Sequence, residues 1–142
     1  MLGAFGAHGL TGSGNGPGYL ERKYWEMEPK TVAGFTVLAS YHYLKVYEKG
    51  VEYHMTHTLA MAITGLLMLR RPSKLLSIAA WCFLAGILFF SGSLYVLVIG
   101  GPRWLGIPWG MIAPLGGTLL LVGWLSLAAG AWNAASCRPN EP

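Results

Sequence analysis

Ile87-Leu-Phe-Phe-Ser-Gly-Ser-Leu-Tyr-Val-Leu97 sits inside a run, Leu75 to Ile99, that contains no charged residue. Only Ser77, Ser91, Ser93 and Tyr95 bring clearly polar groups to that run. As a helix rising about 1.5 Å per residue it is roughly 37 Å long, against a hydrocarbon core of about 30 Å. It is long enough to cross a bilayer with some tilt. A helix in a soluble core is shorter and shows one polar face. The rest of the chain agrees: of 142 residues, 54% are hydrophobic and 11% charged, with a mean hydropathy of +0.45. Soluble domains carry about 25% charged residues, so this composition is that of an integral membrane protein.

Working outward, Tyr53 to Leu69 is a second apolar run, closed by Arg70-Arg-Pro-Ser-Lys74. On the other side, Gly100-Gly-Pro-Arg-Trp-Leu-Gly-Ile-Pro108 is a short loop, and Trp109 to Trp132 is a third span bracketed by tryptophans. The tail from 133 to 142 is polar and reads as loose. Residues 30–50 satisfy two periodicities. Phe35, Leu38, Ala39, His42 and Val46 fit a helical face, whereas Phe35, Val37, Ala39, Tyr41 and Tyr43 fit strand alternation. A helix from about Val37 is favoured, because it leads directly into the run at 53–69. Tyr41, Tyr43, Tyr47 and Tyr53 suit an interfacial position. Residues 11–18, TGSGNGPG, are a flexible break, and Glu28-Pro29 marks an element boundary. Met1 to Leu10 looks like the last turns of a helix and is too short for a signal peptide.

The fold expected is therefore all-α: a polytopic transmembrane helical bundle forming a single membrane domain. Its spans are 53–69, 75–99 and 109–132, preceded by an external insertion and interfacial helix over 11–50. Short-loop basic residues set the orientation. Arg70, Arg71 and Lys74 place the 70–74 loop in the cytoplasm, and the 100–108 loop, with Arg103 alone, lies outside. A bacterial inner membrane is the expected location. The net charge of +4 forms no long basic cluster, so nucleic acid is not an expected partner. Cys82 and Cys137 lack metal spacing and fall on the cytoplasmic side, where a structural disulfide is not expected.

In that orientation the polar and small residues gather in the outer half of the membrane. His54 and His57 enter from outside, Ser91-Gly92-Ser93 lies roughly 10–14 Å below the outer end of its span, and Pro114, Gly116 and Gly117 lie at similar depth. His8 would meet the same layer. The inner half is plain Leu, Ile, Ala and Val. Ser91, Gly92, Ser93 and the Ala113-x-x-x-Gly117 spacing read first as close helix packing. Pro114 either kinks or begins its helix. His54 and His57, three residues apart, share a helix face and are candidate ligands for a metal or haem iron, with His8 as a third nitrogen. The competing reading gives them hydrogen bonds to backbone or side chains. Glu52, at the interface, is placed to orient either histidine. No Ser-His-Asp set, phosphate loop, CxxC or HExxH occurs, so no enzyme chemistry is indicated.

Gly3-Ala-Phe-Gly-Ala-His-Gly-Leu10, Glu52-Tyr-His-Met-Thr-His-Thr-Leu-Ala60, Phe90-Ser-Gly-Ser-Leu-Tyr95, Ala113-Pro-Leu-Gly-Gly117 and Gly123-Trp124 occur in order. Together they resemble the transmembrane protein 256 family, also labelled domain of unknown function 423. The resemblance covers residues 3–10 and about 44–132. It implies four transmembrane helices, the first running into the Gly-Ala-Phe-Gly-Ala-His motif. Most of that helix is not in this sequence. That points to a start assigned too late, a truncation, or a true three-span variant; in-frame apolar residues upstream of Met1 are expected. Residues 11–43 also form a longer connection than the resemblance implies. The resemblance brings no activity, substrate or cofactor.

Three functional readings follow. The first is an accessory or assembly component of a membrane complex, packed through small residues, with the lipid bilayer, other membrane subunits or further copies of itself as partners. The second is a metal-, haem- or quinone-binding subunit with its site near the outer face. The third is a small oligomeric transporter, disfavoured by the lack of charge inside the spans.

Overall fold

A computed structural model describes residue 3, residues 6–12 and residues 16–136; the side chains of residues 7, 8, 134 and 135 are not described. Of the described residues, 78% are helical. A π-helical turn, Gly6–Leu10, is followed by a short helix α1, Tyr19–Tyr24, and an antiparallel hairpin of β1, Lys30–Val32, and β2, Phe35–Val37. Three long helices follow: α2, Ala39–Arg70; α3, Lys74–Gly100; and α4, Ala113–Ser136.

Residues 30–50 divide between the two periodicities: Phe35 and Val37 lie in a strand, whereas Ala39, Tyr41 and Tyr43, which also fit strand alternation, are helical. Val32 pairs with Phe35 across a two-residue turn, and Ala33 and Gly34 both take positive φ there, 50° and 85°. Such a turn matches the twist of the flanking strands. The helix begins two residues later than the favoured Val37, at Ala39, and runs unbroken for 32 residues. The expected interfacial helix and the span at 53–69 are thus one rod. This also corrects a purely all-α expectation: the hairpin is a small β element beside the bundle.

Two helical segments, Lys74–Gly100 and Trp109–Asn133, are long and apolar enough to cross a membrane, with mean hydropathies of 2.3 and 1.8. Three full spans are not reached by that measure. The charge-free part of α2, residues 53–69, is only about 26 Å long as a helix. His54, Thr56, His57, Thr58 and Thr64 dilute its apolar character.

Sharp chain reversals set the three rods antiparallel. Pro72 stops α2, and α3 begins at Lys74. At the other end Gly101, at φ 112°, ends α3 in a conformation that only glycine adopts freely. Trp109 donates its indole N–H to the Trp104 carbonyl at 2.9 Å within the following loop. Pro114 occupies the first turn of α4, where its missing N–H would have no helical partner anyway.

α3 and α4 interlock along a seven-residue repeat. A methyl group on Gly116 would collide with the backbone nitrogen of Phe90. On Gly123 it would come within 2.8 Å of the Phe83 ring, and on Gly130 within 2.8 Å of the Leu76 side chain. Leu120 fills the reciprocal space at Gly86. All four pairs share one antiparallel register, with large residues entering gaps left by small ones. Seven-residue spacing keeps such a seam facing its partner, and small residues let backbones approach where lipid offers no hydrophobic drive. Leu76, Ala79, Phe83, Leu120 and Leu127 form the buried core of this pair, with Ala60 of α2 added.

The insertion before α2 has a clear structural task. α1 lies over the C-terminal end of α3. The Tyr24 hydroxyl donates to the Val98 carbonyl at 2.8 Å, the Tyr19 hydroxyl donates to the Ile99 carbonyl at 3.0 Å, and the Lys23 ammonium also donates to Ile99. The last carbonyls of a helix lack intrahelical donors and carry partial negative charge, so two phenols and a cation suit them. Tyr24 stacks on Tyr43 of α2, ring centroids 4.1 Å apart, and burial pushes its phenol pKa well above the ordinary tyrosine value, with Tyr43 and Tyr19 adding to the shift. Leu10, Leu20, Tyr24, Ala39, Tyr43, Tyr47 and Val98 make a second core here, separate from the α3–α4 seam.

Candidate functional site

The three long helices do not close on one another equally. α3 packs on both neighbours, whereas α2 and α4 leave a lateral groove of about 640 Å³ between them, floored by Phe90. α2 contributes Glu52, Tyr53, Thr56 and His57; α4 contributes Pro114, Gly117, Thr118, Leu120, Leu121 and Trp124. Each group reaches the groove because of helical spacing: 52, 53, 56 and 57 share a stripe on α2, as 114, 117, 118, 121 and 124 do on α4.

His57 is the central polar group. It is 6% exposed, its Nδ1 lies 2.7 Å from the Tyr53 carbonyl, and the Trp124 indole N–H donates to its Nε2 at 3.2 Å. Since Nε2 accepts, the proton of the neutral ring must sit on Nδ1 and be donated to Tyr53. Both nitrogens are committed. Tyr53 stacks between this imidazole and Phe90, at centroid distances of 5.6 and 4.5 Å, and Phe83 and Trp124 complete an aromatic cluster drawn from all three helices.

The other sequence candidates fall in distinct places. His54 does not join His57; its Nδ1 faces the Tyr95 hydroxyl on α3 at 3.4 Å. The side chain of His8 lies outside the described residues. Among the described residues no group of three or more His, Cys, Asp or Glu is placed to hold a metal ion. Glu52 does not orient either histidine: its carboxylate accepts from Lys49 at 2.7 Å. Of the packing candidates, Gly116 is at the helix crossing, and Ala113, Ser91 and Ser93 are buried. The Ser93 hydroxyl donates to the Phe90 carbonyl at 2.9 Å, whereas the Ser91 oxygen has no partner among the described residues. Gly92 is not at a contact: a methyl group there would meet nothing within 4 Å. Gly117 reaches only the Phe90 ring, at 4.0 Å, and Pro114 is exposed in the groove.

Sequence reasoning missed Gly86, and it missed Gly123 and Gly130 as packing positions, although their seven-residue spacing from Gly116 was a usable signal. It also missed Trp124 as the partner of His57, for which nothing local in the chain gives a cue, since the two lie 67 residues apart.

Comparison with known proteins agrees with this membrane architecture. The family model described as "Protein of unknown function (DUF423)" matches residues 2–117. A UPF0382 membrane protein of Staphylococcus aureus is 37% identical over 133 residues, covering 94% of this chain and 84% of its own. The UPF0382 membrane protein YwdK of Bacillus subtilis is 34% identical over 135 residues, covering 92% and 83%. One of Haemophilus influenzae is 44% identical over 90 residues, covering 63% and 68%. No solved structure matches. With the family model spanning most of the chain and membrane proteins of three bacterial genera aligned along it, the chain belongs to the DUF423 family of bacterial membrane proteins.

Proposed function

We propose that the protein is an accessory or assembly component of a complex in the bacterial inner membrane. In this reading 53–69 is a third crossing and the chain is one membrane domain. The 70–74 loop is cytoplasmic, and the 100–108 loop and the cap formed by α1 and the hairpin are external. The observation that carries it is the apolar display on that cap. Trp25 is 83% exposed, Phe35 75% and Leu38 71%, although α1 itself is fastened to the end of α3 through three side chains. A cap needed only to close a helix end would bury these groups or do without them. Large apolar side chains left exposed outside a core point to a contact surface.

The test is gentle extraction of tagged protein from its native membrane, followed by sizing. A stable assembly larger than the free chain is expected, and Trp25→Ser with Phe35→Ser should release the protein from it while its helix content stays constant. Wild type migrating alone, or an assembly indifferent to those changes, contradicts the reading. The metal- or haem-binding reading gains no support from His57, whose nitrogens are both engaged.

A further inference from the structure

The lateral groove carries a second inference, independent of the cap. Packing places Glu52 deeper than its sequence position suggests. Gly50 meets Tyr95 and Tyr53 stacks on Phe90, which sets Glu52 level with residues 91–93 of α3. That is about 10 Å below the apolar end of α3 at Ile99. The α4 wall agrees, because Glu52 shares the groove with Pro114, about 7 Å past Trp109. A carboxylate thus stands at the mouth of a groove whose deeper walls are apolar, beside helices that carry no charged residue at its level. Ionisable groups in such a position are costly and commonly functional.

The hydrogen-bond inventory of the groove defines what it can hold. Thr56 donates to the Glu52 carbonyl and Thr118 to the Leu115 carbonyl, each at 2.8 Å. Trp124 donates to His57, and His57 to Tyr53. Among the described side chains that line it, only the Tyr53 hydroxyl is left as a donor, while the Glu52 carboxylate and the threonine lone pairs accept. An anionic head would face a carboxylate with almost nothing to donate to it. A quinone carbonyl is poorly served for the same reason. A cationic head is well served. The Lys49 that now pairs with Glu52 is on the same helix, and both side chains are more than half exposed, so the carboxylate keeps a face open to a second cation. The volume is within the range of small-molecule sites, and below Glu52 the walls turn to Phe90, Leu120, Leu121 and Trp124.

We propose that the groove between α2 and α4 binds a membrane-soluble ammonium amphiphile, with its cationic head on Glu52 and its apolar chain along Phe90 and Trp124. The purified full chain in a neutral maltoside detergent gives a direct test. The probe is a bromododecyl trimethylammonium ion, whose bromine quenches nearby tryptophan fluorescence; the control is bromododecanol, with the same chain and no charge. Saturable quenching by the cation is expected, with the alcohol much weaker. Glu52→Gln should weaken the cation by about tenfold or more, as loss of a charged partner does. Glu48→Gln, one turn above, should leave it unchanged. Equal quenching by cation and alcohol, or a cation affinity untouched by Glu52→Gln in a folded variant, overturns the proposal.

Discussion

His57 shows how an interfacial-looking histidine becomes a structural one. The sequence placed it on a membrane-entering stripe with His54, and metal ligation was a fair chemical reading of that spacing. Packing rotates the two apart, His54 towards Tyr95 and His57 towards Trp124. The pairing with Trp124 was not legible, because no local pattern reports a contact made through a helix crossing. The physical consequence is specific. His57→Ala leaves the indole N–H without its acceptor and opens space among Phe83, Phe90 and Tyr53. It should lower unfolding stability in detergent by about 1–3 kcal/mol, and Trp124→Phe should cost less. The double variant should cost clearly less than the sum, since both remove one bond. Additive losses in thermal unfolding would mean that the bond contributes nothing. His54→Ala, which touches only a long contact, should be mild.

At the scale of the element, the sequence showed that small residues matter without showing which ones. Ser-Gly-Ser and Ala-x-x-x-Gly are conspicuous because they are local. The real seam is spread over about four turns of each helix: Gly116, Gly123 and Gly130 against Phe90, Phe83 and Leu76. Its seven-residue period could be read from the chain once both helices are set antiparallel. Gly92 tests the distinction, since it lies in the motif but off the seam. Gly116→Ala forces a methyl group into the Phe90 backbone and should destabilise by about 1–3 kcal/mol. Gly92→Ala meets open space and should be neutral or stabilising by up to about 1 kcal/mol, through helix propensity alone. Thermal unfolding and folded yield of the two variants decide it; equal losses would place the helix contact elsewhere. The cap was less legible still. Residues 19–24 looked merely polar and charged, yet Tyr19, Lys23 and Tyr24 satisfy carbonyls more than 70 positions later.

For the whole molecule, the charge-free run at 75–99 told the environment, and the membrane proteins aligned with the chain agree. What composition could not convey is that α2 is a single rod, charged and ion-paired over 45–52 and apolar only beyond, so that its polar and apolar parts stand beside one continuous apolar helix. Fastening of α1 to the end of α3 puts the cap and the 100–108 loop at one end of the bundle. The antiparallel α2–α3 reversal puts residues 71–73 at the other. In the proposed topology α2 crosses the bilayer beside α3. Single cysteines at Glu26, Ser73 and Arg103, in a background with Cys82 and Cys137 replaced by serine, test this in intact cells with a membrane-impermeant thiol reagent. Labelling at 26 and 103, with 73 reacting only after the membrane is opened, is the expected result. Labelling at 73 from outside, or opposite behaviour at 26 and 103, would contradict it.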